Sequence, residues 1–72
     1  MMRILEAYAD EVLTIITSEG KRTFQIGDYI SITTIDGISI NGIIKKIGLD
    51  SLSIEFNHSD RTYNYEKLAY LH

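Results

Sequence analysis

The residues best suited to chemistry in this sequence are two histidines and two sets of carboxylates. His58 stands in a polar stretch and His72 ends the sequence, so a metal site would need Asp60 or Glu66 close to them. A solvated turn residue and a chain end explain the same histidines more simply. We therefore predict no metal site.

The carboxylates of Asp10–Glu11, and those of Asp28 and Asp36, could in principle transfer protons. Turn capping and charges on edge strands account for these residues more simply. The sequence contains no cysteine, no Ser/His/Asp set and no glycine-rich loop that could hold a phosphate. We predict that the protein is not an enzyme and uses no cofactor.

Lysine and tyrosine side chains could together bind a nucleic acid. The lysines would form a basic surface, and the tyrosine rings would stack on the nucleic-acid bases. Lys45 and Lys46 could form it with Arg61 and Lys67. However, a net charge of −3 disfavours binding to nucleic acids or anionic membranes. Lysines also protect exposed strand edges from aggregation. The residues predicted to contact a partner are Tyr29, Lys45, Lys46, Tyr63 and Tyr70.

Strands must position these side chains, because the composition is that of a β protein. Isoleucine fills 13 of the 72 positions, five residues are tyrosine, and only three are alanine. The length suits a single domain, residues 1–72, in which one core supplies only ~3–5 kcal/mol of stability. No apolar run approaches a membrane span and no signal peptide is visible, so we expect a cytoplasmic protein. The excess of isoleucine, tyrosine and asparagine fits a low-GC bacterium or its phage.

Turn residues divide the chain into short strands. Residues 1–8 could be a helical turn or a strand, and extended structure is favoured. Gly20 closes a hairpin, Asp36–Gly37 gives the strongest hairpin signal, and Gly48 begins another turn. Gly42 lies inside a strand, which predicts a bulge, a bend or a close backbone approach. The predicted strands are 11–17, 21–25, 29–34, 38–47, 51–56, 61–65 and 69–71, with a polar turn at 57–60 and a helical turn at 66–68.

The elements from residue 26 to residue 71 follow a recognisable order, marked by five short segments. These segments are Gly27-Asp28-Tyr29-Ile30, Asp36-Gly37, Gly42-Ile43-Ile44, Ile47 with Asp50-Ser51-Leu52, and Tyr65-x-x-Leu68-x-x-Leu71. The order resembles a small SH3-like or Sm-like β-barrel. The resemblance implies an all-β, five-stranded barrel with one short helical turn before its last strand. Residues 1–25 would form an N-terminal β-hairpin extension.

Sm proteins bind RNA through polar residues in two loops, and this sequence departs from their pattern. The turn at Asp50 lacks the asparagine that should follow, and the loop at 57–61 lacks an Arg-Gly pair. The Tyr-Lys-His signature of the bacterial Sm-like chaperone is also missing. No RNA-binding residue is therefore carried over from the family, since a shared fold does not establish a function.

The large apolar side chains outnumber the interior positions of one small barrel. The residues predicted to point inward are Leu13, Ile15, Phe24, Ile26, Ile30, Ile32, Ile38, Ile40, Ile44, Leu52, Ile54, Phe56, Tyr65, Leu68 and Leu71. Eight others are left over, namely Ile4, Leu5, Val12, Ile16, Ile35, Ile43, Ile47 and Leu49. This surplus predicts a second buried face, under the N-terminal strands or against another subunit. Ile16, Ile43 and Ile47 are the predicted interface residues.

Two functions remain for this architecture. The first is a non-enzymatic interaction module, a homo-oligomer that binds a protein partner and is encoded by a bacterium, a phage or another mobile element. Its acidic surface would suit a basic partner. The alternative is an Sm-like or SH3-like protein that binds single-stranded RNA or DNA by aromatic stacking.

Overall fold

The computed structural model describes residues 3–8, 11–17 and 20–72, with the side chains of residues 3–8 and of Thr17 left out of the description. Eight strands and one 3₁₀ helix occupy most of this length. The strands are β1 (Arg3–Tyr8), β2 (Val12–Thr17), β3 (Gly20–Gln25), β4 (Tyr29–Thr34), β5 (Ser39–Ile47), β6 (Ser51–Phe56), β7 (Ser59–Asn64) and β8 (Leu68–Leu71), with the 3₁₀ helix at Tyr65–Lys67. The all-β prediction is confirmed, and the first segment is extended.

The strands form two antiparallel sheets. The first has three strands in the order β1-β2-β3, and the second has five in the order β7-β6-β5-β4-β8. The N-terminal segment is therefore a three-stranded sheet and not a hairpin alone. The five-stranded sheet is open, since β7 and β8 are its two edges and do not pair with each other. The fold is a pair of sheets, and the predicted closed barrel is not observed.

One hydrophobic core lies between the sheets. The three-stranded sheet contributes Leu13, Ile15 and Phe24, and the five-stranded sheet contributes the other nine buried apolar side chains. Because strand side chains alternate between faces, the core takes one face of each sheet. Among the surplus side chains that the structure describes, Ile47 lies in this core, whereas Ile16, Ile35, Ile43 and Leu49 remain exposed. Cover by the N-terminal strands therefore does not account for these four residues.

A bulge in β5 explains why Ile47 is buried. Ile44 pairs with Ile54 but Lys46 pairs with Ser53, so Lys45 is an extra residue opposite the partner strand. An extra residue reverses the alternation of side chains, and Ile47 consequently returns to the core, where it is 0% exposed. The prediction that Ile47 lies outside the core is wrong.

Gly42 provides a close approach of two strands. A side chain at Gly42 would overlap the carbonyl oxygen of Glu55 on β6. The bulge and the close approach are therefore separate features of β5, three residues apart.

Two residues predicted to be in the core are exposed. Ile26 lies just after β3 and Ile38 lies just before β5, and their exposed fractions are 41% and 55%. The alternation of a strand does not extend into the turns that flank it, so these two placements are wrong. Ile4 and Leu5 belong to the predicted surplus, but their side chains lie outside the described part of the chain.

The turn between β6 and β7 is shorter than predicted. Asn57 and His58 both have positive φ angles, of 52° and 62°, and they form a two-residue turn between Phe56 and Ser59. This turn matches the right-handed twist of the two strands it joins. Strand β7 consequently begins at Ser59, inside the segment predicted as a four-residue turn, and the 3₁₀ helix begins at Tyr65.

Candidate interaction surface

The side of the five-stranded sheet that faces away from the core is here called the outer face. It carries the residues that alternate with the buried ones along β4, β5 and β6. The three-stranded sheet packs on the opposite side through the shared core. Within the described part of the chain, no element covers the outer face.

Three pairs of polar side chains join the strands across the outer face. The Ser31 hydroxyl donates a hydrogen bond of 2.7 Å to Oδ1 of Asn41. The Thr33 and Ser39 hydroxyls lie 3.1 Å apart, and those of Ser53 and Thr62 lie 2.7 Å apart. Such cross-strand pairs stabilise a sheet and fix its register. They make the face hydroxyl-rich and hold its side chains in place.

Two apolar side chains lie beside these polar pairs. Tyr29 on β4 is directly opposite Ile43 on β5, and their exposed fractions are 68% and 39%. Ile43 is in turn directly opposite Glu55 on β6, and Glu55 is opposite Asp60 on β7. One row across four strands therefore begins with apolar side chains and ends with two carboxylates.

The charges at this end of the row are only partly neutralised. Lys45 in the bulge lies 3.4 Å from a carboxylate oxygen of Glu55, and both side chains are accessible to solvent. An exposed ion pair of this kind contributes at most about 1 kcal/mol. The ion pair offsets the positive charge of Lys45. Lys45 and Lys46 therefore do not form a uniformly basic surface.

A second aromatic group lies along β8. The rings of Tyr70 and His72 are 4.7 Å apart and nearly perpendicular. Tyr70 is opposite Thr33, while the backbone of His72 exchanges two hydrogen bonds with that of Ser31. These pairings bring the aromatic pair up to the hydroxyl-rich rows of the outer face.

The structure separates the residues predicted to contact a partner. Tyr29, Lys45, Lys46 and Tyr70 lie on or beside the outer face. Tyr63 does not, because it is opposite Leu52 on the core side of the sheet and packs against the core. Its placement among the outward residues is therefore wrong.

The predicted basic surface is also divided. Arg61 is opposite the buried Ile54, and its guanidinium lies 5.3 Å from the ring centre of Phe56 on the core side. Lys67 is in the 3₁₀ helix, where its carbonyl oxygen accepts a hydrogen bond from the Ile35 N–H. Neither residue joins Lys45 and Lys46 on the outer face.

An open cleft of about 420 Å³ lies at the 3₁₀ helix, lined by Leu49, Asp50, Asn64, Tyr65 and Glu66. The Tyr65 hydroxyl donates a 2.6 Å hydrogen bond to the carbonyl oxygen of Gly48. Burial, and secondarily the negative charge of Asp50, raises the pKa of Tyr65 to about 12. The hydroxyl is thus a neutral donor that ties the 3₁₀ helix to the turn before β6.

The other residues considered for proton transfer or metal binding do not form a common site. Asp28 accepts a 2.8 Å hydrogen bond from the Gln25 N–H, as expected of a turn residue, and Asp10 lies outside the described residues. No group of three His, Asp or Glu side chains suited to a metal ion occurs in the described ranges. Nor does any helix in those ranges have the length and apolar character needed to cross a membrane.

The predicted glycines occupy distinct structural positions. Gly37 has a φ of 90° in the hairpin between β4 and β5, and Gly20 has a φ of 116° at the start of β3. Most side chains avoid this backbone region, so both positions favour glycine. Gly48 has no such angle, and its N–H donates a 2.8 Å hydrogen bond to the Ser51 carbonyl oxygen.

The hydroxyl-rich rows were not among the surfaces predicted from the sequence. Their signal was available, since serine, threonine or asparagine alternates with buried residues in three neighbouring strands. The cleft at the 3₁₀ helix had no comparable signal, because its lining comes from residues 15 positions apart in the chain.

No protein-family model, curated protein or solved structure matches this chain.

Proposed function

We propose that this protein is a non-enzymatic interaction module that docks a protein partner on the outer face of its five-stranded sheet and acts as a homo-oligomer. The observation that carries the proposal is the exposed Tyr29–Ile43 pair within rows of hydroxyl and amide side chains. Tyrosine, serine and asparagine are typical of adaptable protein-binding surfaces, because a tyrosine ring gives a large contact at low entropic cost.

The chemistry of the partner is limited by the charges around this pair. Glu55 and Asp60 lie at one end of the Tyr29 row, and the whole chain has a net charge of −3. A partner with an apolar anchor beside one or more basic side chains would complement the row. We further propose that the partner is a protein of the bacterial cell, or of the host if the gene belongs to a phage.

The fold we propose for this module is an open variant of the SH3-like or Sm-like barrel. The order β7-β6-β5-β4-β8, with a 3₁₀ helix between β7 and β8, supports this assignment. The bend introduced by the β5 bulge also supports it, since bulges curve a sheet towards closure.

Affinity capture with three baits tests the docking surface. The baits are the wild type, a Tyr29→Ala/Ile43→Ser variant, and a matched Ile35→Ser/Ile38→Ser variant whose changes lie at the opposite end of β4 and β5. The proposal predicts a protein retained by the wild type and the matched variant but lost from the outer-face variant. Equal retention by all three would refute the outer face as the docking surface, and loss on nuclease treatment would favour the nucleic-acid alternative.

A further inference from the structure

We draw no further inference here: the strongest candidate, the open cleft between the 3₁₀ helix and the turn before β6, lined by the acidic Asp50 and Glu66 and by the exposed Leu49, carries nothing because no feature of the described chain shows what ligand or partner would occupy it.

Discussion

Tyr29 on β4 lies directly opposite Ile43 on β5, and both side chains remain accessible to solvent on the outer face. Most other large apolar side chains of these strands are buried in the core on the opposite side. The pair therefore exposes apolar surface where the sheet is otherwise lined by hydroxyl and amide groups. This contrast is the basis for the docking surface proposed above.

Ile47→Ala should be far more destabilising than Ile43→Ala. Ile47 is fully buried because of the bulge at Lys45, so its truncation leaves a cavity and should cost about 2–5 kcal/mol. Ile43 is on the outer face, and its truncation should cost under about 1 kcal/mol. Chemical denaturation followed by tyrosine fluorescence measures both, and equal losses would contradict the position of the bulge.

Gly42→Ala should destabilise the sheet through a backbone clash. The new methyl group would overlap the carbonyl oxygen of Glu55, which the β5–β6 pairing holds in place. We expect a loss of about 2 kcal/mol or more in the free energy of unfolding. Gly48→Ala is the control, since its nearest backbone atom is the Ser51 oxygen at 3.2 Å. A neutral Gly42→Ala would show that the strands do not approach so closely.

Tyr65 should make stability depend on alkaline pH. Folding raises its pKa from 10.0 to about 12, so the folded state holds this proton more tightly than the unfolded state does. The resulting stabilisation is complete below pH 10 and is lost as the pH rises from 10 towards 12. Denaturation at several pH values should show this loss in the wild type and a smaller one in Tyr65→Phe. Identical profiles would contradict the burial of the Tyr65 hydroxyl beside Asp50.

Arg61→Leu should increase aggregation more than it changes stability. The guanidinium lies over Phe56, a contact worth roughly 0.5–1 kcal/mol, and leucine recovers part of that by apolar packing. The larger effect is the loss of an inward charge on an edge strand. Light scattering at high concentration should rise for Arg61→Leu but not for Arg61→Lys. If both variants scattered no more light than the wild type, the charge of Arg61 would have no role in preventing aggregation.

Local patterns in the sequence were sufficient to predict much of the sheet architecture. Strands 29–34 and 51–56 were predicted at their observed bounds, because alternation and flanking glycine or asparagine mark their ends. The burial of Ile30, Ile32, Leu52 and Ile54 follows from the same alternation.

The differences arise where tertiary contacts override that alternation. Nothing in the sequence around Lys45 distinguishes a bulged lysine from a paired one, so the reversal that buries Ile47 could not be predicted. Tyr63 was placed outward and Tyr65 inward within one predicted strand, although alternation puts both on the same face, and the structure places Tyr63 on the core side. The cleft and the Tyr65–Gly48 hydrogen bond depend on how the 3₁₀ helix crosses between the edge strands, which local sequence does not determine.

The proposed docking surface can be tested most directly by nuclear magnetic resonance of labelled isoleucine methyl groups. The chain has 13 isoleucines, and Ile43 is on the outer face while Ile35 and Ile38 are exposed at the hairpin between β4 and β5. With the captured partner bound, transfer of saturation from the partner should attenuate the Ile43 methyl signal most strongly and leave those of Ile35 and Ile38 nearly unchanged. Attenuation of Ile35 and Ile38 with an unaffected Ile43 would contradict docking on the outer face.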